Sequence, residues 1–282
     1  MLQKLKVWAF RTFYRVDSAR RWKGKSKGPA RSAMQIPSGD SFIPAALYGE
    51  GSSGRPLILF FHGGGWVIGD LDTHDDFCRE LSEASGCALL SVDYRRAPEH
   101  PFPAAQDDCL EALAWVAKNA ETIAPCNGRL VVAGDSAGAH LATCSCLETD
   151  TETRKSIAGE LLIYPVTDHY STPRASYTEK AKAGPLTTNI LFWFWDLYLG
   201  SLDPNDPAAL RASPLRSDAL ASLPPTFLVT AGNDPLRDEG IAYRDKLREA
   251  GVALEYRHVD EAAHGFACSQ GPNEHYQKLM PE

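Results

Sequence analysis

The sequence predicts an α/β fold: a mostly parallel central sheet with helices on both faces and a small helical cap. Three observations predict it. Short apolar runs recur at 57–61, 87–92, 130–133, 161–163 and 227–230, as in strands buried on both sides. Helical patterns fall between or beside them, over 74–85, 104–119, 136–148, 188–199 and 238–250, so strand alternates with helix as in βαβ units. The 282 residues, 44% hydrophobic and 23% charged, carry enough apolar mass for a core, which excludes a disordered chain.

Taken in order, residues 7–16 (Val7, Trp8, Phe10, Phe13, Tyr14 and Val16 among Arg11 and Arg15) read as a short amphipathic helix. Gly24-Lys-Ser-Lys-Gly28 reads as a charged linker, and the turn Pro37-Ser-Gly-Asp40 joins two strands of a hairpin at about 31–36 and 41–48. The alternating units follow the loop Gly51-Ser-Ser-Gly54. More than sixty residues separate the runs at 161–163 and 227–230, too many for a simple crossover. They hold Phe192-Trp-Phe-Trp195 and Tyr198, a helix apolar nearly all round that is either buried on several sides or lines a pocket. A last strand is expected at 253–259. The predicted organisation is a cap segment at 1–28 and a main domain at 29–282, with a cap-contributing insertion at about 186–215.

Charge and cysteine usage narrow the function classes. The net charge is −7, whereas duplex nucleic acid selects a basic face, so no nucleic-acid partner is expected. Residues 1–27 carry nine Lys or Arg and one acid, a net +8, leaving −15 on the rest. Such an arm docks on its own acidic body, acts as a lid, or makes peripheral contact with anionic lipid. No run nears the roughly 18 apolar residues of a membrane-spanning helix, and no secretory signal pattern precedes the fold. Seven cysteines without a CxxC pair predict reduced, buried thiols and a cytoplasmic protein.

The chemistry concentrates in two glycine-rich turns. Gly134-Asp-Ser136-Ala-Gly138 lies between a buried strand and a helix, the setting of an activated serine on a sharp turn. A helix N-terminus there favours a developing negative charge. His62-Gly-Gly-Gly65-Trp66 directly follows the strand at 57–61 and lacks the spacing of a phosphate loop. Its glycines present amide donors to an oxyanion. An ordinary glycine turn is the plain alternative in both places.

A nucleophilic serine needs a histidine base and an orienting acid on later strand ends, the acid first. Asp234 after the strand at 227–230 and His264 after that at 253–259 meet this order, with Asp238 as the alternative acid. His258 lies within a strand and His140 on the helix after the serine, so neither is the expected base. A histidine base makes activity rise from acid toward mildly alkaline pH. With no HExxH and no cysteine–histidine cluster, no metal and no cofactor is expected.

Together these residues resemble the hormone-sensitive-lipase-like branch of the α/β-hydrolase superfamily, the bacterial family IV esterases, from about residue 30 onward. The resemblance rests on His62-Gly-Gly-Gly-Trp66, Asp93-Tyr-Arg-Arg-Ala-Pro-Glu-His-Pro-Phe-Pro103, Gly134-Asp-Ser-Ala-Gly138, Asp234-Pro-Leu-Arg-Asp238 and His264-Gly-Phe266. It implies an α/β-hydrolase fold, Ser136 as nucleophile, His264 as base and Asp234 as its partner. It further implies Gly63, Gly64 and Ala137 as oxyanion donors, Tyr94 as a brace for the glycine loop, and frequent homodimers. Trp66, Phe192 and Trp195 are the pocket-lining candidates. The segment before the first strand is shorter than the family's usual cap, and Ala139 stands where a glycine is common. The implied activity is hydrolysis of short-to-medium acyl esters through an acyl-enzyme. The alternatives are amide cleavage by the same triad, as in a deacetylase or formamidase, and a non-catalytic small-molecule receptor.

Overall fold

The computed structural model describes residues 2–26, 28–268 and 271–279; Lys27 of the basic arm lies outside the described residues. Helix α1 (Leu2–Trp22) precedes an antiparallel hairpin of β1 (Ser32–Ser38) and β2 (Ser41–Tyr48). Strand and helix then alternate through β3 (Leu57–Phe61), α2 (Asp75–Ser85), β4 (Leu89–Val92), α3 (Ala104–Ile123), β5 (Leu130–Asp135) and α4 (Ala137–Glu148). The short α5 (Thr151–Ser156) leads into β6 (Ile157–Ile163). The α-helices α6 (Ser176–Glu179), α7 (Thr188–Leu199) and α8 (Pro207–Leu210) lie in the long interval before β7 (Thr226–Asn233). Then come α9 (Arg237–Glu249), β8 (Leu254–Ala263) and α10 (Glu274–Leu279).

Among the described residues eight strands form one sheet, in the order β1-β2-β4-β3-β5-β6-β7-β8. Only β2 pairs antiparallel, with β1 and β4; the other pairings are parallel. Alternation along β3 explains why a continuous apolar run is needed. Leu57, Leu59 and Phe61 enter one apolar layer with residues of α3, α4 and α9, while Ile58 and Phe60 enter the opposite layer with Phe77 and Leu81 of α2. The chain runs from β3 out to β4, then crosses back to β5 on the other side of β3. Loops leaving β3 and β5 therefore diverge and open a crevice at the carboxyl ends of these two strands, the usual ligand position in such sheets.

Two elements outrun their sequence signals. Helix α1 extends well beyond 7–16 because its last turns find tertiary partners: Ser18 Oγ donates to the Thr73 carbonyl and Trp22 Nε1 to that of Cys268. Strand β6 begins at Ile157 rather than 161, its early part hidden from a hydropathy reading by Gly159 and a buried Glu160.

Candidate active site

Both glycine turns open into that crevice. Ser136 joins β5 to α4 with φ 54° and ψ −120°, a conformation L residues rarely hold. Its N–H donates to the Ile163 carbonyl at 2.9 Å, which pins the turn to β6. The flanking glycines are sterically required: a Cβ on Gly138 would meet the Phe61 carbonyl oxygen at 1.9 Å, and one on Gly134 the Gly138 carbonyl carbon at 2.4 Å.

The sheet brings Ser136, His264 and Asp234 together. His264, past the end of β8, places Nε2 2.9 Å from Ser136 Oγ and Nδ1 2.7 Å from Asp234 Oδ2. A carboxylate only accepts, so Nδ1 carries the proton toward Asp234 and Nε2 is left to accept from the serine hydroxyl. Asp234 is 1% exposed, and its other oxygen accepts the Leu236 N–H, which fixes the carboxylate plane. Asp238, the alternative acid, instead accepts from the Ser176 amide and pairs with Arg237. His258 faces Thr230 Oγ1, and His140 sits between the Trp66 indole N–H and the Ala212 carbonyl. Burial pushes the His140 pKa down to about 4, consistent with a neutral, structural imidazole.

The glycine loop differs from expectation at one donor. The Gly63 N–H donates to Asp135 Oδ1 at 2.8 Å, so it is not available to an oxyanion. Gly64 and Gly65 line the crevice beside Ser136 and His264, and no acceptor reaches their N–H groups or that of Ala137 among the described residues. Gly65, overlooked in the sequence, thus stands beside Gly64 at the crevice where Gly63 was expected. The first glycine after His62 faces down toward β5 while the next two reach the crevice, a turn of the loop that the glycine spacing alone does not reveal. Burial disfavours the Asp135 carboxylate, yet His74, 3.2 Å away, and the Gly63 amide outweigh it and hold its pKa below the ordinary value. Tyr94 braces the loop from the other side: its hydroxyl donates to the His62 carbonyl at 2.6 Å and its ring stacks on that imidazole.

A cavity of about 440 Å³ opens at Ser136. Trp66 lines it, as expected, but Phe192 and Trp195 do not. Trp195 is fully buried against Trp66, and Phe192 stacks on Tyr170. The face of α7 turned to the cavity is Ile190, Leu191 and Phe194. The opposite wall is α1, through Phe10, Phe13 and Tyr14. Phe10 meets the Phe194 and Trp193 rings edge-on, so the two helices close over the cavity together.

A family profile described as "alpha/beta hydrolase fold" matches residues 58–268. The chain is 40% identical over 239 residues to the carboxylic ester hydrolase LipN of Mycobacterium tuberculosis, covering 83% of this chain and 63% of that protein. It is 36% identical over 231 residues to an ethyl acetate hydrolase of Pseudomonas putida, covering 79% and 71%. The solved structure of a hyperthermophilic esterase from Pyrobaculum calidifontis superposes with a TM-score of 0.88 at 33% identity, covering 97% of this chain and 88% of that one. This chain spans about two thirds of the length of the first curated relatives it matches. The matched profile, the eight-stranded sheet and these relatives agree: the chain belongs to the α/β-hydrolase family, in its hormone-sensitive-lipase-like branch.

Proposed function

We propose that this protein is a serine carboxylesterase that cleaves short-to-medium acyl esters, with Ser136 as nucleophile, His264 as general base and acid, and Asp234 as the orienting carboxylate. The observation that carries the reading is the unbroken chain of contacts from Asp234 Oδ2 through the His264 ring to Ser136 Oγ, at 2.7 and 2.9 Å. Ser136 Oγ attacks the ester carbonyl carbon as its proton passes to His264 Nε2. The carbonyl oxygen becomes an oxyanion facing the N–H groups of Gly64, Gly65 and Ala137, each worth about 3 kcal/mol in comparable sites. His264 then gives its proton to the departing alkoxide, the C–O bond breaks, and an acyl-serine remains. Water repeats the sequence: it loses a proton to His264, adds to the acyl carbon, and Ser136 regains its proton as the acid leaves.

The substrate range follows from the cavity. Its volume of about 440 Å³ lies in the lower half of the usual span of small-molecule sites, and aromatic and aliphatic side chains dominate its walls. That suits a short or medium acyl chain and disfavours a long one. Seven buried cysteines, all unpaired, support a reducing compartment and thus a cytoplasmic location. We further propose residues 1–28 and about 186–215 as the two parts of the cap.

A fluorophosphonate probe tests the nucleophile: it labels the protein at Ser136, and Ser136→Ala abolishes both labelling and turnover, with a loss in kcat of about 10⁵-fold or more. In a series of p-nitrophenyl esters, kcat/KM is expected to be higher for butyrate than for palmitate. Unchanged labelling of Ser136→Ala, or a preference for palmitate, overturns the respective part of the reading.

A further inference from the structure

We infer that the outward face of α1 is a docking surface for an anionic lipid membrane, and that docking sets the mouth of the cavity against the lipid. Helix α1 has two chemically distinct sides. Its inward side is fastened to the body by Arg11, which donates to the Val67 and Ala97 carbonyls and to Glu99, by Arg15 on Asp70, and by the buried Val7 and Trp22. On its outward side Leu5, Trp8, Phe13 and Val16 are 60–66% exposed. At 3.6 residues per turn these four fall within an arc of about 140°, so they form one stripe rather than scattered exposures.

The cations are sorted in the same way. Arg11, Arg15 and Arg21 are engaged by acids of the protein, whereas Lys4, Arg20 and Lys23 are exposed and enter no ion pair among the described residues. An aromatic and aliphatic stripe bordered by uncommitted cations is the pattern of a helix that lies in a membrane interface. Among the described residues no helix is long and apolar enough to cross a membrane, so α1 would lie in the plane. Charge complementarity selects the occupant. An anionic surface repels the rest of the chain, at −15, and attracts the arm, at +8, so only one orientation is favoured. Phe13 belongs both to the exposed stripe and to the cavity lining, as do Asp17 and Arg21 of α1 to that lining, so the docking face and the cavity mouth share a rim.

The binding readout does not depend on the esterase reading. The full chain is expected to co-sediment with equimolar phosphatidylglycerol–phosphatidylcholine vesicles, about tenfold less with pure phosphatidylcholine, and less as salt is raised. Leu5→Ser/Trp8→Ser and Lys4→Glu/Lys23→Glu each weaken vesicle binding by about tenfold while the melting temperature holds, since none of the four packs into the core or lines the cavity. Failure to bind the anionic vesicles, or equal binding by the variants, overturns the inference. So does a dimer in light scattering that Trp8→Ser dissociates, because the stripe would then be a self-interface.

Discussion

Ser136 is held at a φ of 54° by its surroundings rather than by its own preference. Strain of this kind typically costs about 1–3 kcal/mol, and here the bond to Ile163 and the close approach of Gly138 to β3 sustain it. The residue before it, Asp135, joins the two glycine turns, since its carboxylate takes the Gly63 N–H and faces His74. Asp135→Ala leaves that buried N–H without a partner and frees the loop that carries Gly64 and Gly65. We expect kcat to fall about tenfold or more, equivalent to roughly 1.4 kcal/mol of transition-state binding, with KM little changed. Asp135→Asn keeps an acceptor oxygen and should recover most of the loss. A purely structural role would show equal effects of both variants on melting temperature and none on the kcat-to-KM split.

At the scale of elements, α7 illustrates how one helix serves two environments. Trp195 and Tyr198 pack on Trp66 and anchor this helix in the core, while Phe194 covers Gly65 so closely that a Cβ there would lie 2.1 Å from its ring. Phe194 therefore limits cavity depth at the proposed oxyanion loop. Phe194→Leu removes ring volume at that point without emptying the site. In the p-nitrophenyl ester series the octanoate-to-butyrate ratio of kcat/KM should rise about tenfold, the scale of one or two accommodated methylenes. Helix α1 completes the enclosure through Phe10, whose ring meets Phe194 edge-on at the cavity wall.

At the scale of the molecule, one buried acid of α9 is bonded both to α6 and to a loop near the site. Glu239 of α9 accepts the Thr167 N–H at 2.7 Å and bonds the Tyr177 hydroxyl, tying α9 to the loop whose Val166 lines the cavity. Burial, only partly offset by these bonds, pushes its pKa from 4.5 to about 8. The folded state thus holds a proton that the unfolded chain releases between those values, so stability falls as pH rises through that window. Glu239→Gln is neutral throughout. Its lead in melting temperature over the wild type should widen from about pH 5 to about pH 8, checked by thermal melts across that range.

Local signals along the chain were enough for the α/β class, the β3, β5 and β7 strands and the two glycine turns. They also placed Ser136, Asp234 and His264 in an order that the sheet could join. Those features rest on local signals, apolar runs and glycines whose absent Cβ atoms permit close approach. Packing between distant segments set the rest: Gly65 rather than Gly63 faces the crevice, Phe194 rather than Phe192 or Trp195 lines the cavity, and α1 runs from Leu2 to Trp22. A helix apolar nearly all round carries no periodic mark of which face meets a cavity. An amide's partner such as Asp135, 72 residues away, becomes visible only when β3 and β5 lie side by side.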